Sequence, residues 1–154
     1  MKKIFTLFLC LMTAFSLYAQ SAKDIYEEGK KLYDNKNYKE AFTKFSSAAE
    51  SGNKKAQYYL GKCYAKGHGV KEDDKVAFEW YKKSAAQDYA KAQLQLGKCY
   101  RKGKVVEKDD AKAKEWFLKA VNNPKGGDKV LKKLKEDAAE GDSDAKQILK
   151  IIKG

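Results

Sequence analysis

Residues 56–81 read AQYYLGKCYAKGHGVKEDDKVAFEWY, and residues 92–117 read AQLQLGKCYRKGKVVEKDDAKAKEWF. A shift of 36 positions lays Ala56 on Ala92, Gln57 on Gln93, Leu60 on Leu96, Gly61 on Gly97, Cys63 on Cys99 and Tyr64 on Tyr100. The register continues through Gly67 and Gly103, Val70 and Val106, Asp73 and Asp109, Ala77 and Ala113, and Trp80 and Trp116. A fixed period of roughly 20–50 residues marks stacked units, each burying its apolar face against the next.

Each copy divides into two helices. Ala56, Leu60 and Tyr64 recur every fourth residue, one stripe of a helix, and Gly61 beside them admits a close neighbour. Gly67-His68-Gly69-Val70 then breaks the helix, and Asp73 offers an N-cap oxygen to the next one with Asp74 at its positive end. Ala77, Trp80, Tyr81 and Ser84 continue at helical spacing, which predicts that Trp80 packs in the core. Asp109, Ala113, Trp116 and Ala120 repeat the scheme.

The pattern Ala-Gln-x-x-Leu-Gly-x-x-Tyr-x-x-Gly-x-Gly-Val-x-x-Asp-x-x-x-Ala-x-x-Trp-Tyr resembles the Sel1-like repeat, a relative of the TPR hairpin, and residues 56–81 satisfy every position of it. The second copy departs at Val105, in place of the second glycine, and at Phe117, in place of the tyrosine. A β-branched residue is costly at positive φ, so the second loop is expected to take another backbone path. Upstream, Gly29, Tyr38, Ala41, Phe45 and Ala48 resemble a TPR hairpin turning at Asn35-Lys36-Asn37. Downstream, Ala138-Ala139-Glu140-Gly141 with Ala145 and Leu149 echoes the junction from Ala48 to Leu60. The resemblance implies an all-α solenoid of stacked antiparallel hairpins that binds a protein or peptide along a concave side.

The flanks complete this plan. Lys2 and Lys3 precede an apolar run from Ile4 to Tyr18 that ends in small residues, the layout of a secretory signal peptide over 1–20 with cleavage after Ala19. That run has about 15 residues where a membrane span needs roughly 20, and Cys10 lies too deep inside it to serve as a lipid anchor point. The expectation is an exported protein, periplasmic or secreted, with no stable membrane insertion after cleavage. Its domain then comprises a TPR-like hairpin over 21–52, repeats over 53–88 and 89–124, and capping helices over 127–154 beyond the break at Pro124, Gly126 and Gly127. Expected helices are 22–35, 37–51, 53–66, 73–87, 89–102, 109–122, 128–140 and 142–153. Losing Lys2 and Lys3 with the signal lowers the formal charge of +12 to +10, still enough to favour an acidic partner or an anionic surface. Export argues against nucleic acid as that partner.

The residues do not suggest catalysis. No HExxH, CxxC, GxSxG or phosphate-cradling glycine loop occurs, so no enzyme, metal site or cofactor is expected. His68 stands in a loop whose glycines have a structural reason, and Asp73-Asp74 and Asp109-Asp110 read as helix caps. Cysteine-rich members of the family are linked to β-lactam binding or hydrolysis, but the paired cysteines of that subgroup are missing here. Cys63 and Cys99 occupy equivalent positions in successive repeats, about 10 Å apart by helix packing and beyond the ~7 Å limit for a disulfide, so two free, partly buried thiols are expected.

In TPR-like solenoids the first helix of each hairpin lines the concave side. With Gly29, Gly61 and Gly97 aligned, the next residue is Lys30, Lys62 or Lys98, and six before come Lys23, Lys55 and Lys91. Three before come Tyr26, Tyr58 and Leu94; near the helix ends stand Tyr33, Arg101, Lys66 and Lys102. Tyr26, Tyr33 and Tyr58 are read as lying off the core stripe, so these thirteen positions form the candidate groove: ladders of positive charge with aromatic or apolar rungs. Its expected occupant is an acidic protein or peptide. The alternative is an anionic envelope polymer or lipid head group on the same lysines; a hydrolase of the cysteine-rich type is the remote reading.

Overall fold

The computed structural model of the protein describes residues 21–154. The expected signal peptide and Cys10 lie outside them. Among the described residues the regular structure is entirely helical. Helix α1 is described over 21–34, followed by α2 (Tyr38–Glu50), α3 (Lys54–Lys66), α4 (Asp74–Ala86), α5 (Ala90–Lys102), α6 (Asp110–Val121), α7 (Gly127–Ala139) and α8 (Ser143–Lys153). These bounds lie within two residues of the sequence expectation. The chain divides into two compact units, one ending at Glu72 and one beginning at Asp73.

In the first unit α1, α2 and α3 close around Phe45, which is fully buried. Its ring stands 5.0 Å from Tyr59, 5.9 Å from Tyr33 and 6.1 Å from Tyr26. Alanines on the facing stripes, Ala41, Ala48 and Ala56, are completely buried and let the backbones approach. Asn53 caps α3 by accepting from the Lys55 and Ala56 amides, supplying partners for two otherwise orphan donors. After α3 the chain turns through Gly69 at φ +78°, its backbone pressed on the carbonyl of Tyr38, where a Cβ has no room.

In the second unit α5 packs closely on α6. Gly97 has no Cβ because the Phe117 ring occupies that space, and Phe117 itself is fully buried. Ala113, Ala120, Val130, Leu134, Ala145 and Ile148 extend this core through α7 and α8. Asn123 ties the α6 terminus to the preceding turn, donating to the Asp88 carbonyl at 3.1 Å and to Gln93 Oε1 at 3.0 Å. Asp73 and Asp109 cap α4 and α6. The second loop does take another path: among the described residues only Lys36 and Asp88 hold positive φ outside glycine, so Val105 avoids that cost.

One reading is corrected. The tryptophans are not the core residues of the return helices: Trp80 and Trp116 are half-buried, whereas Tyr81 and Phe117 are buried. Tyr81 and Phe117 stand four residues after Ala77 and Ala113, on the same helical stripe, while the tryptophans fall at its edge. There each indole is covered by a lysine, Lys83 at 4.0 Å over Trp80 and Lys119 at 4.7 Å over Trp116. Tyr38, Tyr64 and Tyr100 are likewise half-buried.

Candidate protein-binding face

The first unit brings lysines and tyrosines of α1 and α3 together. Lys62 lies 4.8 Å from the Tyr33 ring centre and 5.5 Å from that of Tyr59, Lys30 lies 5.7 Å from Tyr59, and Lys55 lies 5.5 Å from Tyr26. The ammonium groups thus sit over aromatic faces, whose quadrupoles attract cations. Lys30 also pairs with Asp34 one turn on. Lys23 and Lys66 are exposed, and Tyr58 is half-buried with its ring edge-on to Tyr59 at 5.4 Å.

Two of the expected rungs are corrected. Tyr26 and Tyr33 do not lie off the core stripe but are buried, 6% and 9% exposed. The helix carries them toward Phe45, so they form the floor beneath the lysines. Burial pushes the Tyr33 and Tyr59 hydroxyls above their ordinary pKa, keeping both protonated.

Tyr59 and His68 belong to this cluster, and the alignment missed both. Tyr59 stands beside Tyr58 and one position off the aligned register; the aromatic pair was the available signal. His68 stacks on Tyr38 at 3.9 Å between ring centres, and its Nδ1 lies 2.9 Å from the Tyr33 hydroxyl. Desolvation, then Lys66 and Lys62, lower its pKa, favouring neutral imidazole.

The matching positions of the second unit are differently employed. Lys98 Nζ lies 3.0 Å from Asp144 Oδ2, and Arg101 pairs with the other oxygen of that carboxylate while donating to Gln147. Asp144 and Gln147 belong to α8. Lys98 and Arg101 are therefore anchors for α8 rather than open rungs, which corrects their expected exposure, and desolvation lowers the Lys98 pKa. Leu94 packs against the core that includes Ala145 and Ile148. Lys91 and Lys102 remain exposed. Sequence reasoning passed over Asp144 because an acid in a first turn reads as a dipole complement.

Cys63 is buried and Cys99 half-buried, both as free thiols. Among the described residues no group of His, Cys, Asp and Glu could hold a metal ion, and no helix is long and apolar enough to cross a membrane.

An all-α solenoid of helical hairpins bearing a lysine–tyrosine face defines a class of repeat scaffold. The Sel1 repeat model matches residues 16–53, 54–89 and 90–124. The chain belongs to the Sel1 repeat family. It is similar to the crystal structure of a Sel1 repeat protein from Oxalobacter formigenes, with 32% identity, a TM-score of 0.63, and coverage of 82% of this chain and 54% of that one. It is similar also to a protective antigen of uropathogenic Escherichia coli strains displaying an SLR fold, at 32% identity and TM-score 0.64, covering 84% of this chain and 28% of that one. Helicobacter pylori cysteine rich protein B shares 25% identity at TM-score 0.58, covering 90% of this chain and 93% of that one. The chain thus spans about half the length of the first of these and about a quarter of the second. No curated protein matches it by sequence. Sel1 repeat proteins generally mediate protein–protein interaction, and the family is typically a non-catalytic scaffold.

Proposed function

We propose that this chain is an exported scaffold that holds an acidic segment of another protein on the face of α1 and α3, with Lys23, Lys30, Lys55, Tyr58, Lys62 and Lys66 meeting the partner over a floor of Tyr26, Tyr33 and Tyr59. One observation carries this reading. On α5, at the position equivalent to Lys62, Lys98 already holds a helix of this chain through Asp144, with Arg101 and Gln147 beside it. The repeat supports the same chemistry on α3: a lysine following the helix glycine, facing a carboxylate from an amphipathic helix. Lysines resting on aromatic rings lose less rotamer freedom on binding than lysines in open water, which favours affinity.

The test is photo-crosslinking from position 58 in cells, with the captured protein identified and its affinity measured. A K30E/K62E variant is expected to lose that partner and its salt dependence. Capture unchanged in the charge-reversed protein, or partners without acidic segments, would overturn the reading. An export assay that leaves the chain in the cytoplasm would remove the exported part of it.

A further inference from the structure

Beyond this face, helices α5, α6 and α8 of the second unit border an open surface cleft of about 660 Å3. Arg101 and Lys102 enter it from the end of α5, Lys108 from the loop before α6, Asp110 from the first residue of α6, Lys114 from the next turn of α6, and Lys150 from α8. Ile151, Gln147 and Gly154 complete the wall. Five cations thus line one volume, beside the carboxylates of Asp110 and of the Gly154 terminus.

The acids nearby neutralise only part of this charge, at Lys108 and Arg101. Asp110 pairs with Lys108 at 3.3 Å, and Asp144 is taken by Lys98 and Arg101. Among the described residues Lys102, Lys114 and Lys150 have no ion pair. The Arg101 guanidinium is fixed by Asp144 and Gln147, and its Nε is buried without a hydrogen-bond partner. Its orientation is therefore set before any ligand arrives, which reduces the ordering cost of binding.

We infer that this cleft binds a phosphoryl group carrying at least two negative charges. Its volume lies within the ~300–1,000 Å3 usual for small-molecule sites. A single carboxylate brings one charge and leaves several lysines uncompensated. A diphosphate or a phosphorylated head group brings multiple charges and many acceptor oxygens into a small space, which suits lysines that approach as separate point charges. The cleft shares no residue with the proposed protein-binding face on α1 and α3, so either assignment stands without the other.

The test is titration of the folded protein with inorganic pyrophosphate, followed by amide NMR shifts, beside co-sedimentation with phosphatidylcholine vesicles with and without phosphatidylglycerol. Shifts are expected to centre on residues 101–114 and 147–154 and to weaken with salt. The K114E/K150E variant is expected to bind about tenfold more weakly, the equivalent of ~1.4 kcal/mol. The neutral K114Q/K150Q pair guards against a folding defect, and K129E/K135E on α7 makes the same change in net charge away from the cleft. Pyrophosphate binding alone identifies a soluble phosphorylated ligand; added binding to the anionic vesicles, lost in K114Q/K150Q, identifies a lipid head group. Equal losses in the cleft and control variants, shifts scattered over all lysines, or no binding to either probe would overturn the inference.

Discussion

Tyr33 and His68, 35 residues apart in sequence, are joined by a hydrogen bond of 2.9 Å between the phenol oxygen and Nδ1. This contact holds the loop after α3 against the α1–α2 hairpin, and Tyr38 stacks on the face of the imidazole. The lowered His68 pKa means that between its folded value and the ordinary 6.5 the unfolded chain binds the proton more readily than the folded one. Stability contributed by neutral His68 is therefore fully present above pH 6.5 and lost as pH falls through the folded pKa. An NMR titration is expected to place the His68 midpoint below 6.5, and H68Q to flatten this part of the stability profile. A midpoint at or above 6.5 contradicts the environment described.

The missing Cβ at Gly97 leads to a packing prediction. G97A forces the buried Phe117 ring to move and is expected to destabilise the protein by about 1–3 kcal/mol, the usual range for an overfilled core. Combining it with F117L is expected to cost less than the two single changes together, because the smaller side chain vacates the space. Urea unfolding of all three variants measures the coupling; strict additivity would place the two residues out of contact.

Removing the carboxylate of Asp144 leaves Lys98 and Arg101, both largely shielded from water, without their anion. Charge-assisted bonds of this kind contribute on the order of 1.5–3 kcal/mol. D144A is expected to loosen α8 before the rest of the second unit. Hydrogen exchange should rise first at residues 145–153, and equal change throughout α4–α8 would argue against α8 as a separately held element.

Burial pushes the Cys63 thiol up to about 12 and the Cys99 thiol up to about 11. Thiolate is the reactive form, so both cysteines should resist alkylation at pH 8 in the folded protein. Cys99, only half-buried, is expected to label before Cys63, and denaturant should abolish the difference. Rapid labelling of Cys63 in the native state would show that its helix is not packed as described.

Local grammar and repetition were enough to read the helices of this chain. Asp73 and Asp109 announce α4 and α6 as caps, Gly67 and Gly103 end α3 and α5, and Pro124 marks the break before α7. Faces were legible only where one stripe clearly dominates. Trp80 beside Tyr81 offers two large aromatics in adjacent positions, and a wheel separates them by only 100°, so size drew the reading to the wrong one. The same adjacency hid Tyr59 behind Tyr58.

What the sequence determined alone was the repeat, the family, the helix boundaries and the lysines that follow each helix glycine, because these depend on contacts within a few residues or on self-similarity. Tertiary structure decided which of those lysines are engaged and by what. Asp144 meets Lys98 and Arg101 across 46 and 43 positions, and His68 reaches Tyr33 across 35. Pairings at that separation follow from how helices pack, and no local pattern of residue types encodes them.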